Sequence, residues 1–168
     1  RMTSKIAAFV YGVVAYGAFF ATILYMIGFV GGFVVPKTLD TGPEGPAGLA
    51  VIVNLLLILA FAVQHTIMAR PAFKAWWTRI VDPAVERSTF VLVASGLLAL
   101  LFWQWRPIPT VVWHFEAEPV RVVLSSVCLA GFALVFYTSF LIDHFDLFGL
   151  RQVFLHMKSR AYHHPPFK

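Results

Sequence analysis

This sequence has little charge. Only 12% of its 168 residues are Asp, Glu, Lys or Arg, while 60% are apolar. A soluble domain devotes about a quarter of its residues to charge. The shortfall excludes an ordinary water-facing surface, and a mean hydropathy of +0.79 indicates lipid in its place. Cysteine is scarcer still, with Cys128 alone in an apolar run. One cysteine excludes an intramolecular disulfide and leaves the redox compartment unread. Nothing around it marks a catalytic thiol, so it reads as a small helix- or lipid-facing residue. Internal repeats and low-complexity tracts are absent from the sequence. So are a Gly-rich phosphate loop, a dinucleotide fingerprint and a Ser-His-Asp elbow. The net charge of +5 and a pI near 9.7 do not point to nucleic acid, because the basic residues are spread over loops instead of forming one stripe.

Long apolar runs are what the chain has instead. A membrane helix needs about 20 mainly apolar residues, and four stretches qualify, at 6–35, 48–69, 89–105 and 120–142. The first carries no charge and ends at Pro36. It exceeds a bilayer's thickness and must tilt, kink or project, with Gly28, Gly31 and Gly32 the expected place for the irregularity. It is too long for a signal-peptide core and lacks a small-residue cleavage site, so it reads as a retained helix. Arg1 stands ahead of Met2, which reads as the native start. The connections carry breakers: Gly42, Pro43, Gly45 and Pro46 in the first, Pro71 and Pro83 in the second, Pro107 and Pro109 in the third. Trp76, Trp77, Trp105 and Trp113 near span ends fit an interfacial aromatic belt.

Four spans sort the basic residues by side. Arg1, Lys5, Arg70, Lys74, Arg79, Arg87, Arg151, Lys158, Arg160 and Lys168 fall on one side, and Lys37, Arg106 and Arg121 on the other. Three or five spans would destroy this asymmetry. The expectation is therefore an all-α polytopic transmembrane bundle forming one domain over 1–168. Both termini face the cytoplasm (N-in/C-in), and a cytoplasmic segment covers 143–168.

Polar groups in lipid are costly and mark function or helix pairing. Here they gather at cytoplasmic span ends: Gln64 and His65 on the second, Thr138, Ser139, Asp143 and His144 on the fourth. In Asp143-His144-Phe145-Asp146 the two carboxylates share a helical face at a spacing of three. A carboxylate beside an imidazole raises its basicity and fixes its tautomer, which suits acid–base work; an interfacial anchor ending the helix is the other reading. Gln64-His65 reads either as part of a site or as a polar helix end bonded to a neighbour. Gly149-Leu150-Arg151-Gln152 can turn the chain and set Arg151 over the cytoplasmic mouth, or leave Arg151 as a headgroup residue. His156, His163 and His164 have poor spacing for a metal, with no Glu-x-x-His pair and no Cys ligand, so no metal is expected. His65 and His144 are the one pair expected to be buried and able to ligate a haem. Tyr162-His163-His164-Pro165-Pro166 reads as an extended polar loop stiffened by proline.

These residues together resemble a known group. Gln64-His65, Met68-Ala69-Arg70-Pro71-x-Phe73-Lys74, Glu86-Arg87-Ser88 and the string Ile142-Asp143-His144-Phe145-Asp146-Leu147-Phe148-Gly149-Leu150-Arg151-Gln152 look like the methanethiol S-methyltransferase family. That family sits with the NnrU-like and isoprenylcysteine carboxyl methyltransferase-like membrane proteins. The resemblance runs from about Asn54 to the end. It implies an enzyme of a bacterial inner membrane that moves a methyl group from S-adenosylmethionine to methanethiol, giving dimethyl sulfide. It implies His144 or His65 as the base, oriented by Asp143 or Asp146. Arg151, Gln152 and Gln64 are the implied binders of S-adenosylmethionine, and the implied partners are a small thiol and membrane lipid. The family continues past this point with a helical hairpin bearing an Arg-His-Pro-x-Tyr motif, which this sequence lacks; His164-Pro165-Pro166 is no match. The expectation is that the C-terminal cofactor-binding part is missing. Two alternatives stay open: a non-catalytic NnrU-like accessory or haem-handling protein, and methylation of a larger lipid-soluble or prenyl thiol.

Overall fold

The computed structural model describes residues 2–111 and 113–163. Arg1 and Lys168 of the charge tally, and His164, Pro165 and Pro166 of the terminal loop, lie outside the described residues. The described chain is all-helical: α1 Met2–Gly31, α2 Ala47–Met68, α3 Pro71–Trp77, α4 Pro83–Gln104, α5 Glu118–Ile142, α6 His144–Leu147 and α7 Leu150–Met157. Helices α1, α2, α4 and α5 are long and apolar enough to cross a membrane. The four-span, all-α architecture expected from the sequence is thus what the structure shows, in an integral membrane protein.

Each helix stops for a local reason. Thirty residues at 1.5 Å each make α1 about 45 Å long, against about 30 Å of hydrocarbon. It ends at Gly31, short of Val35, because the Gly28 carbonyl takes the N–H groups of both Gly32 (2.8 Å) and Phe33 (3.2 Å). Gly32 then turns through φ 74°, a left-handed cap that suits glycine. Helix α2 stops where Arg70 precedes Pro71. Proline forces extended backbone on the residue before it, and Arg70 sits at φ −74°, ψ 139°. The third span starts at Pro83, six residues ahead of Thr89, since the Asp82 carboxylate accepts from Ala84 N–H at 2.8 Å and Pro83 is preorganised for the first turn. The connection from 70 to 88, read in sequence as loop, therefore holds the short helix α3 and the first turn of α4.

The four long helices run alternately up and down. Helix α1 is the spine, with α4 along its length, α7 on its N-terminal third and α5 beside it; α2 packs on the far side of α4. Phe29, Leu101 and Phe102 form one core near the end of α1. Met68, Phe90 and Val91 form the other, joined by Phe19, Phe73 and Phe148. Asn54 ties α2 to the connection after α4, donating to the Arg106 carbonyl (2.7 Å) and accepting its N–H (3.0 Å). Helix α5 has no buried residue. Its main attachment is at its foot, where α6 and α7 fold back against α1.

Candidate active site

The site is built where the chain leaves α5. Asp143 takes φ 149°, which breaks the helix and throws the next residue inward. Its Oδ1 accepts from Asp146 N–H (3.2 Å) and caps α6. A second reversal at Gly149, φ 87°, leads into α7. A side chain at Gly149 would strike Ser88, whose Oγ lies 2.7 Å from the Cβ position. Helix α7 then lies on α1 at Gly12, where a Cβ would come within 2.5 Å of Val153 Cγ2. Lys5 donates to Ser159 Oγ at 2.6 Å and closes the outer edge.

His144 is the centre of this corner, 2% exposed. Its Nε2 lies 2.8 Å from Tyr16 Oη and its Nδ1 2.7 Å from Ser139 Oγ. Phe140 stacks parallel on the imidazole at 4.1 Å, and Phe136, Phe145 and Phe148 present their edges or tilted faces. Burial pushes the imidazole pKa down from its ordinary value, because the charged form loses its hydration.

The structure corrects the expected pairing of this imidazole with a carboxylate. Both ring nitrogens go to hydroxyl groups. Asp143 instead forms an ion pair with Arg151 (2.6 Å) across partly exposed side chains. Asp146 accepts from Tyr162 Oη at 2.9 Å and, more weakly, from Gln152 Nε2 at 3.4 Å. The cause is the break at Asp143: its own carboxylate caps α6 and pairs with Arg151, and that of Asp146 turns to Gln152 and Tyr162. Burial and the adjoining Asp146 carboxylate raise the Tyr162 phenol to about 12. The Tyr162 hydrogen bond ties the chain after α7 back to Asp146; of the loop read in the sequence, only Tyr162 and His163 are described, and they form no helix.

Arg151 and Gln152 do meet this corner, and Gln64 and His65 do not touch it directly. Gln64 donates to Met68 Sδ at 3.0 Å. The Oε1 atoms of Gln64 and Gln152 are buried with no hydrogen-bond partner among the described residues. His65 is exposed on α2 between Phe61 (5.3 Å) and Phe90 (4.9 Å), not in a buried pair with His144. Arg87 joins the two regions, lying 4.9 Å over the Phe90 ring and donating to the Leu147 carbonyl at 2.7 Å. A haem held between His65 and His144 does not fit, since both nitrogens of His144 are engaged and His65 stands beyond Phe90. His156 is in the last turn of α7 and His163 is exposed.

Beside His144 runs an apolar groove of about 460 Å³, lined by Phe9, Val13, Phe145, Leu150, Arg151 and Phe154. Phe145 lies between it and the imidazole, and Arg151 supplies the only charge among its described lining residues. The parts that sequence reasoning missed are Tyr16 and the bridging role of Arg87. Tyr16 is one aromatic among many in a charge-free run of α1, and no periodicity singles it out.

Comparison with known proteins gives the chain its relatives. The chain is 56% identical over 164 residues, 98% of its length, to methanethiol S-methyltransferase 1 of Bradyrhizobium diazoefficiens. It is 50% identical over 153 residues to methanethiol S-methyltransferase of Mycobacterium tuberculosis. The chain is a homologue of the methanethiol S-methyltransferases. It spans 58% and 63% of the length of these two methanethiol S-methyltransferases. A more distant relative is mouse nurim, 33% identical over 110 residues, or 62% of this chain and 42% of nurim. No family model matches the chain, and no solved structure matches it.

Proposed function

We propose that the protein transfers a methyl group from S-adenosylmethionine to methanethiol, giving dimethyl sulfide, at the cytoplasmic face of the membrane. The observation that carries this reading is the 56% identity to a methanethiol S-methyltransferase, which extends over 98% of the chain. The orientation follows from charge. Lys5, Arg70, Lys74, Arg79, Arg87, Arg151, Lys158 and Arg160 lie toward the end that holds the site, and Lys37, Arg106 and Arg121 toward the other. The positive end faces the cytoplasm, so the termini are N-in/C-in and soluble donor has access.

S-adenosylmethionine supplies an electrophilic methyl carbon on a sulfonium. The chain's own residues must hold a thiol in line with it and remove the thiol proton, since the thiolate is the nucleophile. The apolar groove beside His144 suits a small lipid-soluble thiol and keeps water from it. His144, buried and neutral, is the proposed base. Arg151 uses one of its five donors on Asp143; the others suit the carboxylate of the donor's amino-acid end. The buried Oε1 atoms of Gln152 and Gln64, unpartnered among the described residues, suit an amino or ribose hydroxyl group. Asp143 and Asp146 act by position: one orients Arg151, the other anchors Gln152 and the segment after α7. His65 takes the more remote part, on the α2 side of Phe90.

A second reading keeps the chemistry and enlarges the acceptor. The groove is far larger than a thiol of two heavy atoms requires, which favours a longer lipid-soluble thiol. Headspace gas chromatography on membranes carrying the full-length gene product, with S-adenosylmethionine and methanethiol, decides between them. Dimethyl sulfide is the expected product. Its absence, with methylation of a longer alkyl or prenyl thiol, replaces the acceptor. No methyl transfer to any thiol removes the enzyme reading.

A further inference from the structure

The hydrogen bonds around His144 admit one neutral arrangement. Ser139 Oγ lies 2.6 Å from the Phe136 carbonyl and 2.7 Å from His144 Nδ1. A carbonyl only accepts, so the single hydroxyl proton of Ser139 goes to Phe136. Ser139 must then accept, and Nδ1 carries the ring proton. Nε2 is left with its lone pair, and Tyr16 Oη at 2.8 Å donates into it. The lone pair is thus already covered by a phenol, and a thiol cannot reach it directly.

Tyr16 itself is half-buried. It lies one turn along α1 from Val13, and its ring is 6.4 Å from that of Phe145; both of those residues line the groove. We propose that Tyr16 is a proton-relay residue, whose hydroxyl meets the acceptor thiol in the groove and passes its proton to His144 Nε2. The proposal rests on the methyltransferase reading for its chemistry, and on the geometry above for its tautomer. The thiol S–H proton moves to Tyr16 Oη as the phenolic proton moves to Nε2, leaving a thiolate, an intact phenol and an imidazolium. The thiolate electron pair forms the new S–C bond. The sulfonium S–C bond of the methyl donor breaks, and its pair stays on the donor sulfur. The imidazolium returns the proton to solvent by the same path.

The test uses the full-length gene product in micelles, labelled with ¹⁵N-histidine, with His144→Asn identifying the His144 signals. The expected spectrum has a protonated Nδ1 and an unprotonated Nε2, and Tyr16→Phe shifts the Nε2 signal. Tyr16→Phe is expected to cut methanethiol turnover about 100-fold, the scale of one general acid–base step, with KM for the donor unchanged. A small fluorinated alkanethiol, already ionised at the assay pH, needs no relay and is expected to restore most of the lost rate. A His144 ring protonated on Nε2 overturns the relay whatever the activity. So does full methanethiol turnover by Tyr16→Phe, or an equal loss with both thiols, which marks a structural role. A wild-type protein silent on every thiol overturns the methyltransferase reading and the relay with it; an active wild type with an unaffected Tyr16→Phe overturns the relay alone.

Discussion

Gly12→Ala is the sharpest probe of how the site is held. The added methyl would lie 2.5 and 2.9 Å from the two γ-carbons of Val153 and 3.2 Å from Ser88 Oγ. Val153 is fully buried and β-branched, so it has no free rotamer to escape into. Overpacking of this kind costs about 1–3 kcal/mol. Alanine also gains about 1 kcal/mol over glycine from helix propensity, which partly hides the clash. Gly17→Ala supplies the reference. It stands on the same helix with nothing within 4 Å of its Cβ position, so it reports propensity alone. The expected result is that Gly12→Ala is less stable than Gly17→Ala by about 1–3 kcal/mol, measured by unfolding in mixed micelles. Val153→Ala should be damaging alone but should relieve the clash, so the double variant with Gly12→Ala is more stable than the two separate effects add to. Equal stability of the two glycine variants, or strict additivity in the cycle, would refute close packing of α7 on α1.

The remaining predictions concern single side chains. The folded pKa of His144 is lowered by burial, so below its ordinary value of about 6.5 the unfolded chain binds the proton first. Stability is then full above that pH and falls as pH drops further; a melting curve at pH 5.5 against 7.5 should show the loss, smaller in His144→Asn. Arg87→Ala leaves the Leu147 carbonyl without its donor and should cost about 1.5–3 kcal/mol in the same unfolding assay. Arg87→Lys should not restore it, because an ammonium lacks the planar fork. Asn54→Ala removes two bonds from a residue 5% exposed, and a loss of about 1–3 kcal/mol is expected, with the connection after α4 exchanging its amide hydrogens faster.

The spans were legible because lipid imposes a long apolar run whatever the fold around it. Their ends were legible only where a breaker acts alone, as Pro71 does after α2. The start of α4 was missed because Asp82-Pro83 looks like a loop by composition, while its capping bond is a matter of geometry. His144, Asp143, Asp146, Arg151 and Gln152 stood out as ionisable or polar groups at a helix end, and the chain does gather them. Their partnerships were not legible. A backbone break at Asp143 cannot be read from residue types, and it alone separates the imidazole from both carboxylates. Tyr16 was invisible for a different reason. Its partner lies 128 positions away, beyond any local pattern.

That distance has a consequence for how the protein is made. Ribosomes add about 5–20 residues per second, so roughly 6–25 s separate the emergence of Tyr16 from that of His144. Throughout that interval α1 sits in the membrane with Tyr16 lacking its imidazole partner and Gly12 lacking Val153. Helix α4 is made before α7, so α7 fills a notch already shaped by Ser88 and Gly12. Assembly of the corner therefore waits for α7, and nascent chains halted before Met157 would span the bilayer with the corner still open.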